Sequence, residues 1–520
     1  ALALSVVPLG TAIFLHSEKV NIENALRYVY QRSYKEKEEI TVNTEGIKRV
    51  LKNGYMLSAG RGNTEDLFFN GNIPYLSSLY QNVVMDGLTL APKKINALES
   101  IYFGVYDERA ETVLLQEGNN IILKEVTADT LFDEDEKVFK SWIHLELENT
   151  SFGGAEFYTV FKLPQGSYIS DYYLYVEGEK KHGMLVDKRA ANWLYHENKT
   201  INRDPGVLTN LGDNEIEFKI FPFAKGEIRQ TGIEIIHNRP IKLDIAGTAI
   251  SLQANNMKNI AQSQEDLEIH PQIHYITQEA KASLTKITRT PKYYFIMDLS
   301  EGNEENKEKY IDRINTYIEK QGIEKDIKEI IGVNYKEKRL EYQGKWEERI
   351  KSLETEGGFY PEYTIYQILY ENYINPSEYR PIFILVTDEM EKAVFTKNMA
   401  ELSFACPEGI SYYHLGEGGQ LKEYTEPIIP YTNQGRNVSN ISDIPVLVWK
   451  NKDGKIFYIP DDKEDTLILT ESDIVLDKVG STTWESGVLL EALYRSYLLE
   501  PHKQTQKTHE VVKLSISTKV

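Results

Sequence analysis

A chain of 520 residues has room for three to four domains of about 150 residues, and a hydrophobic fraction of 41% beside 27% charged residues is ordinary for a globular protein. The mean hydropathy of -0.43 excludes a polytopic transporter. A net charge of -20, from 59 Lys and Arg against 79 Asp and Glu, repels phosphate backbones and anionic headgroups and disfavours nucleic acid as a partner.

A single cysteine, Cys406, excludes an intramolecular disulfide and offers no Cys/His spacing for structural zinc, so stability must come from packing. Residues 1–15 (ALALSVVPLGTAIFL) are apolar and uncharged. At about 1.5 Å per residue they reach roughly 22 Å as a helix, short of a bilayer core of about 30 Å. They read as the remainder of a truncated transmembrane helix or signal segment, with a buried terminal strand as the plainer alternative.

Residues 16–105 form a mixed N-terminal region, with helices expected at Ile22–Arg32 and Thr44–Lys52 and turns at Gly60-Arg61-Gly62-Asn63 and Asn70-Gly71-Asn72. Gly60 and Gly62 lack the third glycine and the strand-turn-helix frame of a phosphate loop, and read as a surface turn. From 106 to 245 the pattern turns to period two: Phe157, Thr159 and Phe161 alternate with Tyr158 and Val160, and Ile216, Phe218 and Ile220 repeat the habit. An antiparallel β domain, a sandwich or barrel, follows, interrupted by a helix expected over Asp187–Asn198; of the two, the antiparallel β-sandwich is the expected fold.

The run from Glu156 to Glu197, with its Phe161-x-Leu163-Pro164 turn, Ser170-Asp171 strand, Gly178 hairpin and Gly183 ahead of an Ala/Trp/Tyr helix, resembles the VIT domain of inter-alpha-trypsin inhibitor heavy chains and vault-associated proteins. Phe218 to His237 continues the likeness, which spans about 140 residues. Pro164 agrees physically, because a residue with no N–H and a fixed φ ends a ladder and turns the chain. That family has no associated catalytic residues, so the resemblance implies a structural or interaction module.

Residues 246–290 are polar and read as a linker with an edge strand or helix. Over 291–445 strands and helices alternate: a strand at Tyr293–Met297 ending on Asp298, a helix burying Tyr310, Ile314, Tyr317 and Ile318, a strand at Ile327–Val333, helices at Trp346–Leu353 and Thr364–Tyr373, and a strand at Pro381–Thr387 ending on Asp388. The rhythm predicts an α/β doubly wound parallel sheet, so that the whole chain is a multidomain α+β protein. Functional groups in such sheets collect beyond the carboxyl ends of the strands, where Asp298 and Asp388 stand.

Asp298-Leu299-Ser300 and the second strand end resemble the metal-ion-dependent adhesion site of von Willebrand factor A domains, which commonly follow VIT domains. The resemblance implies Mg²⁺ held by Asp298, Ser300, a threonine and Asp388, with a position left for a partner's carboxylate; hard oxygen ligands in octahedral array suit that ion. The sequence departs from the motif. Gly302 replaces the second serine, Phe359 follows Gly357-Gly358 where a threonine is expected, leaving Thr364 as a substitute, and Glu389 follows Asp388. A degenerate, structural version of the domain is the preferred reading, in which Asp298 caps the next helix and Asp388 a turn.

Residues 446–520 form a C-terminal extension, with a hairpin of Val446–Lys450 and Lys455–Ile459 around Asp453-Gly454, a helix near Gly487–Leu499, and a last strand in the alternating run Val511–Val520. Serine-hydrolase, zincin, Walker and Cys-x-x-Cys motifs are absent. Cys406 reads as a buried thiol, His196 and His237 as surface residues, and Asp133-Glu134-Asp135-Glu136 as a solvated loop. Asn149, Asn198, Asn437 and Asn440 open weak glycosylation sequons.

The expectation is therefore a non-enzymatic, membrane-tethered protein of the cell envelope presenting a VIT and von Willebrand A-like interaction surface to an unidentified protein partner. Bacterial proteins of this order include the VIT proteins encoded beside exosortases, such as the MSEP-CTERM sorting group, and extend the expectation to exosortase-type protein sorting. The alternative is a divalent-metal-dependent phosphatase-like hydrolase using Asp298 as phosphoryl acceptor. It lacks the carboxylate two residues on that would serve as general acid, because Ser300 stands there.

Overall fold

The computed structural model describes residues 2–35, 42–59, 83–84, 92–105, 121–186, 191, 194–195, 198, 206–212, 214–254, 266–397, 399–425, 435–476, 480 and 482–518. The turns expected at Gly60 and Asn70, most of the helix expected over 187–198, and His196 lie outside them. The described residues form a mixed α+β protein with nine α-helices and several sheets.

Three helices open the chain: α1 (Leu2–Tyr30), α2 (Thr44–Ala59) and α3 (Pro92–Phe103). The apolar run expected to be a membrane remnant or terminal strand is the first half of α1. Leu15, Ile22, Ala25 and Val29 recur at helical spacing on its buried stripe, while Leu9, Ile13 and Phe14 are exposed. Ile47, Val50 and Leu51 of α2 and Ile95, Leu98 and Ile101 of α3 join the same stripe.

The strands β1 (Ile121–Asp133), β2 (Val138–Asn149), β3 (Ala155–Lys162), β4 (Ser167–Val176), β5 (Glu179–His182), β6 (Gly206–Gly212), β7 (Glu215–Phe223), β8 (Ile228–His237), β9 (Ile241–Ile245) and β10 (Thr248–Leu252) build antiparallel sheets ordered β1-β2-β8-β4-β5, β3-β7-β6 and β10-β9. The expected alternation is present: Phe157, Thr159 and Phe161 are buried while Tyr158 and Val160 face out. Their inward sides close a core with Ile143, Leu145, Phe218, Ile233 and Leu243. Two expectations are corrected here. His237 is fully buried, because the end of β8 is covered on both faces, and burial pushes its pKa down to about 4. Asn149 is 1% exposed, its amide donating to the carbonyls of Gly153, Phe223 and Ala224, which removes it as a glycosylation candidate.

The stretch expected as a linker contains β11 (Leu267–His270), β12 (Ile273–Ile276), α4 (Gln278–Lys281) and β13 (Thr285–Thr288). The α/β unit follows: β14 (Thr290–Asp298), α5 (Lys307–Gln321), β15 (Ile327–Val333), β16 (Glu337–Glu341), α6 (Trp346–Lys351), α7 (Glu362–Ile374), β17 (Tyr379–Val386), β18 (Ser411–Leu415), β19 (Leu421–Thr425) and β20 (Arg436–Val438). Its sheet is ordered β16-β15-β14-β17-β18-β19-β20, and the four central strands β15, β14, β17 and β18 run parallel. Strands covered on both faces must be apolar throughout, which explains the unbroken Tyr-Phe-Ile-Met and Ile-Phe-Ile-Leu-Val runs. Phe295 and Met297 meet α5 and α6 on one face, while Ile296, Phe383 and Leu385 meet the N-terminal helices and α7 on the other. Phe295, Ile296 and Met297 are wholly buried, each stabilising by about 1.5–3 kcal/mol.

The remaining elements are β21 (Pro445–Lys450), β22 (Ile456–Pro460), β23 (Thr466–Leu469), α8 (Thr483–Leu499) and α9 (Gln504–Thr518). The expected Asp-Gly hairpin is the pair β21 and β22. The expected last strand is instead α9, whose Val511 and Leu514, three residues apart, pack partly on the core. Helix α8 ties the sandwich to the α/β unit. Trp484 donates to the Gly166 carbonyl at 3.0 Å, and Glu491 accepts from Gln165 and Tyr168, while Val488, Leu489 and Leu493 enter the core shared with α7. At the start of the α/β unit Arg289 forks onto Glu408 with two 2.6 Å hydrogen bonds, both side chains buried.

Candidate functional site

Parallel pairing of β14 with β17 sets Met297 opposite Val386 and thereby brings the next residues, Asp298 and Thr387, together at the carboxyl ends of adjacent strands. The Thr387 hydroxyl donates to Asp298 Oδ2 at 2.7 Å, and the Ser300 backbone N–H donates to Oδ1 at 2.8 Å. Asp298 is 2% exposed, and this burial raises its pKa against the lowering pull of its donors. It does not cap a helix as expected. A 3₁₀ turn at Glu304–Asn306 intervenes, and α5 begins at Lys307. Asn303 fills the gap: its amide donates to the Ser300 hydroxyl at 3.0 Å, and its carbonyl oxygen accepts from Tyr310 and Asn306. Gly302 adopts φ of +92°, a conformation that disfavours the serine of the adhesion motif.

Asp388 lies beyond the same strand end but in a different electrostatic setting. Arg313 donates to its Oδ1 at 2.6 Å and Lys309 to its Oδ2 at 2.9 Å. Partial burial alone would raise its pKa, yet hydrogen bonds from those two cations hold the carboxyl below its usual range. Lys309 and Arg313 are one turn apart on α5; Lys309 also bonds Glu417, and Arg313 also bonds the carbonyls of Thr387 and Leu415. The sequence reading missed this pair, although a basic i,i+4 pair on the helix after an acidic strand end was a readable signal.

Thr364 is not brought to the cluster by a direct bond. It is 1% exposed in the first turn of α7, and its hydroxyl donates to Glu337 Oε2 at 2.7 Å. The Gly357-Gly358 loop does approach, because the Gly357 carbonyl accepts from the Glu301 N–H at 2.8 Å. Phe359 is buried in the core.

Above this loop sits the end of α3. The Gly358 N–H donates to the Ile101 carbonyl at 2.8 Å, and a Cβ on Gly358 would lie 1.8 Å from the Ser100 carbonyl oxygen, so only glycine permits the approach. Further bonds seal the seam: Tyr28 to the Tyr335 carbonyl, Tyr360 to that of Val29 and Tyr363 to that of Ser33.

Chemically, both oxygens of each carboxylate already accept from protein donors. Lys309 and Arg313 at Asp388 would repel an incoming divalent cation, whereas the donors at Asp298 are a neutral hydroxyl and a backbone N–H. Among the described residues, no group of three or more His, Cys, Asp or Glu side chains is arranged to hold a metal ion. Cys406 is buried as expected, its thiol pushed up to about 12 by burial. The acidic turn after β1 is tied in rather than merely solvated: Asp133 accepts from Lys140, and Glu136 accepts the Thr483 N–H at the start of α8. No protein-family model matches the sequence, and no curated protein matches it.

Proposed function

We propose that the protein is a non-enzymatic interaction scaffold in which a VIT-like sandwich is joined to a von Willebrand A-like α/β domain whose adhesion site works without a metal. The observation that carries this reading is the double ion pair at Asp388. Lys309 and Arg313 supply there the positive charge that a divalent cation would otherwise contribute, at 2.9 and 2.6 Å. Strand order supports the likeness, with a central β14 flanked by parallel neighbours and acidic residues at the carboxyl ends. The phosphatase alternative draws no support from Asp298, a 2% exposed carboxylate with both oxygens engaged and therefore a poor nucleophile.

The reading includes tethering at a membrane of the cell envelope and a part in exosortase-type sorting. Exposed Leu9, Ile13 and Phe14 on α1 support contact of that end with an apolar phase. Among the described residues no helix is long and apolar enough to cross a membrane. The test is a calorimetric titration with Mg²⁺ and Mn²⁺ beside thermal melts with and without EDTA. No saturable heat and an unchanged melting temperature are expected. Binding that raises the melting temperature and vanishes in Asp298→Ala would overturn the metal-free reading, since a ligand selective for the folded state stabilises it by mass action.

A further inference from the structure

The outer face of the five-stranded sheet presents a cluster unconnected with the strand-end carboxylates. Strand register lays it out in rows. Asp129, Trp142, Glu234 and Asp171 stand opposite one another across β1, β2, β8 and β4, and the next row holds His144, Gly232, Tyr173 and His182. Side chains at such spacing share one side of a sheet. Gly232 lets Tyr173 lie flat across β8, since a Cβ there would meet the Tyr173 ring at 2.4 Å. Tyr173 thereby becomes a floor. Trp142 lies beside it with ring centroids 5.5 Å apart, Tyr175 stands edge-on at 5.8 Å, and the Tyr173 hydroxyl is 2.7 Å from His144 Nδ1.

Into this cage the chain places its own cation. Lys180, exposed on the short edge strand β5, holds its ammonium 4.1 Å from the Tyr173 ring centroid and 5.1 Å from that of Trp142. Aromatic faces attract ammonium groups within about 6 Å of the centroid. The surrounding carboxylates add to the attraction: Asp171 is bound to His182, Asp129 lies 3.6 Å from His144, and Glu234 accepts from Ser170.

We propose that this face binds a lysine side chain presented by a basic segment of a partner protein, and that Lys180 is the intramolecular occupant the partner displaces. The seated lysine shows that the cage fits a primary ammonium on a four-carbon stem. The acidic row of Asp129, Glu234 and Asp171, on a chain of net charge -20, defines the partner's charge. The proposal deepens the scaffold reading by naming the partner's chemistry, yet it rests on the sandwich alone, so its outcome and that of the metal titration are independent.

The test is fluorescence and calorimetric titration of the full chain with a capped pentapeptide carrying two lysines, beside the same peptide with norleucine at both positions. Wild type, Lys180→Ala and Lys180→Ala/Trp142→Ala are compared. Both changes lie on the sheet surface, and a thermal melt of each variant verifies folding. The lysine peptide is expected to bind Lys180→Ala at least tenfold more tightly than wild type, to lose that affinity in the double variant, and to lose it to the norleucine replacement. No saturable binding to Lys180→Ala, equal binding of the norleucine peptide, or affinity unaltered by Trp142→Ala would each overturn the proposal; the last would mark a general attraction of basic peptides to an acidic chain.

Discussion

Replacing Gly358 with alanine attacks the place where α3 seals the strand-end cluster. The new Cβ would lie 1.8 Å from the Ser100 carbonyl oxygen, whereas real Cβ contacts essentially never fall below 3.0 Å, so the two backbones must part by at least about 1.2 Å. The Gly358 N–H to Ile101 carbonyl bond, 2.8 Å at present, would stretch beyond hydrogen-bond range. Overpacking of this kind costs about 1–3 kcal/mol, and the lost bond about 0.5–1.5 kcal/mol, for a total of about 1.5–4.5 kcal/mol. Urea unfolding followed by circular dichroism should report that loss, and limited trypsin digestion should cut within the N-terminal helices earlier than in wild type. Gly302→Ala is the control. Its φ of +92° makes a side chain strained, by about 1–2 kcal/mol, but no atom lies within 4 Å of its Cβ position and α3 should stay docked. If Gly358→Ala loses under 0.5 kcal/mol, roughly the scatter of a harmless surface change, and digests like wild type, the claim that α3 is seated on this loop is wrong.

Glu408→Gln strands the buried Arg289 guanidinium and should cost about 3–5 kcal/mol in urea melts, while the apolar pair Arg289→Met/Glu408→Leu should recover most of the loss; a cost below 1 kcal/mol would contradict the burial of the pair. His237 stays neutral in the fold because burial lowers its pKa from 6.5 to about 4. The unfolded chain then binds the extra proton first as pH falls, so the stabilisation is complete above about pH 6.5 and declines towards pH 4, by about 3 kcal/mol in all. Melts of His237→Gln beside wild type at both ends of that window should show the dependence shrink by that amount, and an equal pH dependence in both proteins would contradict it. Cys406, with its thiol raised by burial, should ignore a thiol reagent in the native protein and react as a single equivalent in denaturant; rapid native labelling would contradict its burial.

The α/β unit was legible because its information is local. A strand covered on both faces has to be an apolar run, and β14 and β17 carry such runs, one ending on Asp298 and the other followed directly by Thr387 at the rim. The β21–β22 hairpin was readable from its Asp-Gly turn, and β3 from simple alternation. What failed depends on contacts between distant segments. His237 belongs to an amphipathic strand by pattern, but Ile235 and Ile236 just before it are buried as well, in two different cores, so both faces of the strand are covered at its end. Val511–Thr518 alternates like a strand, yet it continues a helix begun at Gln504 after α8, and only Lys507 is buried along it. The strand-end cluster divided the same way. Asp298 and Asp388 were visible as strand endings, whereas the Thr387 bond follows from parallel register and the Thr364 bond to Glu337 from the placement of α7.

The core that joins α1, α2 and α3 to the α/β sheet also contains Trp484, Val488, Leu489, Leu493 and Leu499 from α8. One hydrophobic unit therefore closes between residues nearly 500 positions apart, from Leu15 to Leu499. A ribosome delivers these parts in order, so the core begun by α1 and α7 waits for α8 before it closes, and chaperones have that interval in which to hold it. Closing so long a loop is slow, which makes final docking of α8 the expected late event in folding. Deleting the chain from either side of the sheet should leave an aggregating remnant, so each half of this protein acts as the folding partner of the other.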